Sequence, residues 1–235
     1  MFLFNEKKCA DICLKNTNKY VFKAVNDLIS DFARVSTFGV KPKIVKNVTQ
    51  NCIIIEENTR TSAEPVADES YSITTENGNV VIRADGYLGT MWGIYTLSEK
   101  FLGVDPCYLF NDLAIVKKNA VEMPDVNIAD KPDGFGFRGV FINDEDLLQG
   151  WKDGGGARLV GGGYYYVTVA KTVLEKVVET VLRLKLNLVI PATFIDLDNP
   201  PEKDLADAVA ERGIYLSQHH CEPLGVSSFT FENHC

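Results

Sequence analysis

The chain has 235 residues, 46% of them hydrophobic, and a formal net charge of −8. That is enough apolar material for one large domain or two smaller ones. Its charge leaves no basic stripe to neutralise phosphates, which excludes nucleic acid as a partner, and no run approaches the roughly 20 apolar residues of a membrane span.

The chain opens on a short apolar stretch that Asn5, Glu6, Lys7 and Lys8 end far short of a signal-peptide core. The expected location is the cytosol, or outside the cell if a leader has been removed. Cys9, Cys13, Cys52, Cys107, Cys221 and Cys235 lack the paired spacing of a zinc site or a disulfide framework. Reduced thiols are expected, with no metal and no cofactor. Asn47-Val48-Thr49 is a glycosylation sequon that has meaning only in a secreted eukaryotic protein.

Residues 10–14 alternate weakly, as a strand does. Val21, Val25, Leu28, Ile29, Phe32 and Val35 recur at helical spacing, which predicts an amphipathic helix over 20–35. Residues 52–55 form a compact strand. Two further strands, 71–75 and 80–84, flank Asn77-Gly78, a strong hairpin signal. Met91, Trp92, Tyr95 and Leu102 restore helical spacing over 88–102, and Gly103 is a natural stop. Together these elements describe a two-layer α+β module, residues 1–133. Its last part, with Pro106, Pro124 and Pro132, is a connector holding one more strand or hairpin near 113–121.

From Gly134 and Gly136 the pattern changes to strand–loop–helix, giving a second domain over 134–235. Val140, Phe141 and Ile142 form an apolar run broken sharply by Asn143, Asp144, Glu145 and Asp146. Such a run reads as a strand buried on both faces of a parallel sheet. The break then falls at the strand's carboxyl end, where α/β folds place their chemistry. A solvated loop capping the next segment explains the same residues.

A long loop with two triple glycines, 154–156 and 161–163, leads to a helix over 167–186. Ala170, Val173, Leu174, Val177, Val178, Val181 and Leu182 line its buried face, and Lys171–Glu175 and Glu179–Arg183 form i, i+4 pairs on the other. A strand over 187–191, a short helix over 201–212 and a strand over 214–217 follow. This βαβαβ order predicts a parallel sheet.

Three carboxyl-end loops then carry polar residues: 143–146, 193–198 and 218–222. Neighbouring loops would lie about 5 Å apart at their roots, which allows one shared pocket. His219, His220 and Glu222 lack the geometry of a metal set, since successive strand residues point to opposite faces. The glycine runs lack the lysine and the strand–turn–helix context of a phosphate cradle. Trp151 and Tyr164–Tyr166 suit either stacking on a sugar ring or packing on the rim.

The segments FRGVFINDE, LLQGW, VLRLKLNLVIPA and SQHHCEP resemble the start of the catalytic barrel in glycoside hydrolase family 115, the xylan α-1,2-glucuronidases. ADGYLGTMWGIYTLSEKFLGVDP resembles that family's N-terminal helper domain. The fold class implied is α/β: an N-terminal α+β helper domain, then the first three β-strands of an incomplete (β/α)8 barrel. Roughly one hundred residues follow Gly136, against about 250 in a whole barrel, so truncation is expected. The resemblance implies removal of (4-O-methyl)glucuronic acid from xylan with inversion, which needs an acid and a base about 6.5–9.5 Å apart.

It places Glu145 as a catalytic carboxyl, with Asp144 in reserve, and Asn143, Trp151, His219, His220 and Glu222 against the substrate. The family's His-His-Glu-Pro motif carries Cys221 as an insertion here. Remaining carboxylates are expected from later strands, so the chain alone is expected to be inactive. The partner expected is carbohydrate, glucuronoxylan or its oligosaccharides, and the exposed strand edge of a partial barrel invites homo-oligomers. Two other classes fit: a family 67 glucuronidase or hexosaminidase-type glycosidase, and a non-catalytic carbohydrate-binding or interaction module.

Overall fold

The computed structural model describes residues 1–58, 69–132, 134–143, 148, 151, 154–159 and 166–219. They divide into two compact units, Met1–Gly136 and Phe137–Cys235.

The first unit is built on a six-stranded mixed sheet. Its strands are β2 (Asp11–Lys15), β3 (Ile44–Val45), β4 (Cys52–Glu57), β5 (Tyr71–Glu76), β6 (Asn79–Ala84) and β8 (Asn127–Asp130), in the spatial order β3-β2-β4-β6-β5-β8. β1 (Phe2–Phe4) and β7 (Val121–Glu122) pair separately. The β5–β6 hairpin closes at Glu76↔Asn79 with Asn77 and Gly78 both at positive φ, the mirror-image turn that matches strand twist. Helix α1 (Val21–Val35) buries Val21, Val25, Leu28, Phe32 and Val35.

Helix α2 (Tyr87–Leu97) runs on into a π-helical turn, Ser98–Leu102, that ends at left-handed Gly103. α2 crosses the sheet at Gly89 and Gly93, where a side chain would strike Ser70 O and Ile82 Cγ2. Tyr71 Oη bonds Thr96 on α2 and Asp130 on β8, both at 2.8 Å. The strand expected near 113–121 is reduced to an isolated Ser36–Lys118 bridge and the start of β7 at Val121, and β8 at 127–130 extends the sheet.

The second unit carries β9 (Gly139–Phe141), the ribbon β10 (Gly156–Ala157) and β11 (Val167–Thr168), helix α3 (Lys171–Arg183), β12 (Leu188–Ile190), helix α4 (Pro200–Ala210) and β13 (Tyr215–Leu216). β9, β12 and β13 form a three-stranded sheet with β12 in the middle, both pairings parallel. Its register is set at the amino end. Asn187 is fully buried and its Oδ1 accepts the Arg138 N–H at 2.8 Å. Gly139 is glycine because a Cβ there would lie 2.4 Å from Leu188 O.

Two expectations need correction here. β9 is not buried on both faces: Phe141 is 36% exposed. It is an edge strand, and alternate residues point to opposite sides, so Phe141, Leu188 and Ile190 share a face that stays partly open while Val189 on the other is covered. Lys171 reaches Glu211 on the neighbouring chain segment at 3.4 Å, in place of the expected Glu175, whereas Glu179–Arg183 forms as a 2.8 Å pair. The buried face of α3 is the one its spacing predicts.

Candidate functional site

The polar loops that follow β9, β12 and β13 gather at one end because the three strands are parallel. Asn143 stands just past β9, and its Oδ1 accepts the hydroxyl of Thr193, just past β12, at 3.3 Å. Past β13, His219 stacks on Phe141 with ring centroids 4.3 Å apart and planes 22° from parallel. All three loops thus contribute a named side chain to the same edge. Asn143 is exposed, Thr193 is buried, and His219 is half-buried with its Nδ1 shielded from solvent.

Trp151 lies elsewhere in its loop, 37% exposed, with Lys176 Nζ of α3 5.8 Å above its ring. Asp144, Glu145, His220 and Glu222 lie outside the described residues. The structure therefore brings Asn143 and His219 to the expected edge, gives Trp151 a cation partner on α3, and leaves the carboxylates undescribed.

Behind the edge lies a buried polar network that the sequence reading missed. Arg158 and Glu202 have side chains only 1% exposed, and Arg158 Nη1 bonds both Glu202 Oε1 at 3.3 Å and Phe194 O at 2.7 Å. The guanidinium also lies 4.7 Å above the Phe194 ring. Glu202 Oε2 accepts from Asn199 Nδ2 at 2.6 Å, and Oε1 accepts the Asp196 N–H at 3.3 Å. Asn199 also donates to Ala157 O at 3.0 Å. Burial outweighs these donors and pushes the Glu202 carboxyl above its ordinary value.

One signal for this network was present. Asn199-Pro-Pro-Glu202 has the form of a helix start, with a capping amide, proline in the first turn and glutamate three residues on. Arg158 carries no comparable mark, since its burial depends on two distant loops meeting.

Among the described residues no group of His, Cys, Asp and Glu could hold a metal ion. The described cysteines Cys9, Cys13, Cys52 and Cys107 are free thiols. The first unit has a polar cleft of about 720 Å³ at the β5–β6–β8 end. Among its charged walls, Arg83 bonds Glu56 and Glu76 and Asp130 accepts from Tyr71, and Asp85 and Lys131 also line it. No helix among the described residues is long and apolar enough to cross a membrane.

Comparison with known proteins bears on the same elements. No curated protein matches the sequence. Among solved structures, a family GH115 4-O-methyl-α-glucuronidase with specificity for decorated arabinogalactans superposes with a TM-score of 0.73 at 21% identity, covering 96% of this chain and 30% of that one. The Flavobacterium johnsoniae chitobiase gives 0.60 at 15% identity over 92% of this chain and 31% of that one. A Streptomyces plicatus N-acetyl-β-hexosaminidase gives 0.56 at 15% identity, over 92% and 42% respectively. This chain therefore spans about a third of the length of the first two structures. At these identities the likeness is one of fold, and the folds are those of glycoside hydrolases. The sequence profile of glycosyl hydrolase family 115 matches residues 130–234 of the chain.

Proposed function

We infer that residues 137–219 supply the first three strands and carboxyl-end loops of a (β/α)8 glycosidase barrel, with residues 1–133 as its helper domain. The reaction assigned is inverting hydrolysis of (4-O-methyl)glucuronic acid from xylan side chains. The observation that carries this reading is the parallel β9–β12–β13 sheet, whose three following loops bring Asn143, Thr193 and His219 to one edge within a family 115 segment. In barrel enzymes that edge holds the chemistry. Asn143 and His219 would bind sugar hydroxyls, and Glu145, two residues past Asn143, would act as a catalytic carboxyl. Three strands of eight do not enclose a sugar, so the 235-residue chain by itself is assigned no turnover.

The test is uronic-acid release from glucuronoxylan and aldouronic acids by the full-length gene product. Failure on every glucuronic-acid-bearing substrate tried would sink the reading. In that protein Glu145→Gln keeps shape while removing acidity, and a loss of about a hundredfold or more in kcat/KM at unchanged Tm is expected. A change of only a few fold would make Glu145 structural.

A second reading is favoured by the chitobiase and hexosaminidase likenesses: hydrolysis of N-acetylglucosaminides. The same assay with an aryl N-acetylglucosaminide separates the two.

A further inference from the structure

We propose that Arg158 and Glu202 are positioning residues that hold the loop after β9 and the loop after β12 in one fixed relation, so that Asn143 and Thr193 meet at the strand ends. The proposal rests on reading that edge as the substrate pocket. Neither side chain can touch a substrate, since both are 1% exposed. Arg158 makes contacts that cross from one loop to the other, and Glu202 binds it to the second. From the first loop, Arg158 Nη1 reaches Phe194 O and Glu202, and Ala157 O accepts from Asn199. From the second, Glu202 gathers Asn199 Nδ2 and the Asp196 N–H, so its two oxygens tie the 194–199 turn to the first turn of α4.

The first loop is threaded where only glycine passes. A Cβ on Gly155 would lie 2.3 Å from Val169 O, and one on Gly156, at φ +136, would lie 2.7 Å from Pro201 Cγ. Arg158 therefore enters the network from a backbone with little room to shift. A buried ion pair of this kind adds little stability over an apolar pair of the same volume. Its distinctive property is geometry: the Nη1 of a planar guanidinium that reaches both Phe194 O and Glu202 Oε1 fixes the direction of the two partners.

The test uses the 235-residue chain and three variants, Arg158→Met, Glu202→Gln and the apolar pair R158M/E202L. Native-state hydrogen exchange is followed at residues 154–159 and 193–199, with α3 and the first unit as internal references. Each single variant should speed exchange in both loops together, on the order of tenfold or more, with the references unchanged. R158M/E202L should regain melting temperature without regaining protection in the two loops. Faster exchange in only one loop, a uniform rise across the unit, or full protection in R158M/E202L would each overturn the proposal.

Affinity for an aldouronic acid, measured calorimetrically on the same samples and on the full-length gene product, judges the other reading. If the full-length parent does not bind, the assignment of the pocket fails while the exchange data still decide the role of the pair.

Discussion

Gly93→Ala tests how α2 is seated on the first sheet. Alanine in a helix interior is favoured over glycine by about 1 kcal/mol, so propensity alone predicts a gain. The new Cβ, however, would lie 2.5 Å from Ile82 Cγ2 and 3.3 Å from Tyr71 Cδ2. Ile82 is fully buried, and Tyr71 is held at its hydroxyl by Thr96 and Asp130, so neither can swing away. Overpacking of this kind costs about 1–3 kcal/mol, which leaves a net loss of roughly 1 kcal/mol.

Gly89→Ala should be worse, at roughly 2 kcal/mol, because its Cβ would meet Ser70 O at 2.5 Å and backbone has no other rotamer. Urea unfolding followed by Trp92 fluorescence in a Trp151→Phe background reads this unit alone. Ile82→Leu removes the offending methyl, so G93A/I82L should be more stable than additivity predicts, by about 1 kcal/mol. If G93A is stabilised by its full propensity, or if G89A is the milder variant, the account of α2 seating is wrong.

Three further outcomes follow from single side chains. Hydrogen bonds from Arg83 and Thr74 hold the Glu76 carboxyl at about 2, below its ordinary 4.5, so its carboxylate favours the folded state above about pH 4.5 and that contribution fades as the pH falls toward about 2. Acid unfolding of Glu76→Gln should therefore show a shallower loss over that window, and a loss as steep as the parent's would contradict the pairing. Burial, aided by the charge of Asp11, pushes the Cys9 thiol up to about 12. Alkylation of Cys9 near pH 8 should be slower than that of an unstructured cysteine by roughly a thousandfold, counted by mass spectrometry, and rapid labelling would place Cys9 in water. Lys185 ends α3 in the left-handed region at φ 60, so Lys185→Gly should gain up to about 1 kcal/mol in thermal unfolding, where a loss would show that the lysine side chain matters more than the backbone.

The elements most legible in the sequence were those whose signal is local. Asn77-Gly78 needs only its own two backbone angles to close the β5–β6 hairpin, and the apolar stripe of α3 needs only a 3.6-residue period. What was misread depended on partners elsewhere. Val140, Phe141 and Ile142 look like a doubly buried strand, yet the burial of Phe141 depends on what stands against its face. Lys171 has two acidic neighbours within reach, and helical spacing alone cannot rank Glu175 against Glu211. At the candidate site, Asn143 and His219 were legible because a polar break after an apolar run marks a strand end. Arg158 was not, because one arginine between glycine runs says nothing of the Phe194 carbonyl that will receive it.

The arrangement of the three-stranded sheet also sets an order of assembly. β12 meets β13 at a separation of 27 residues, Leu188 to Tyr215, whereas the Arg138–Asn187 bond that seats β9 closes a loop of 49 residues. Longer closures carry a greater entropy cost and are made later, by roughly 0.6 kcal/mol for each doubling of the loop. Pulse-labelled refolding should protect β12 and β13 amides before the 139–142 backbone. The strand that leads into Asn143 is thus expected to arrive after β12 and β13 have paired, and the Asn143–Thr193 bond forms once β9 has docked on β12.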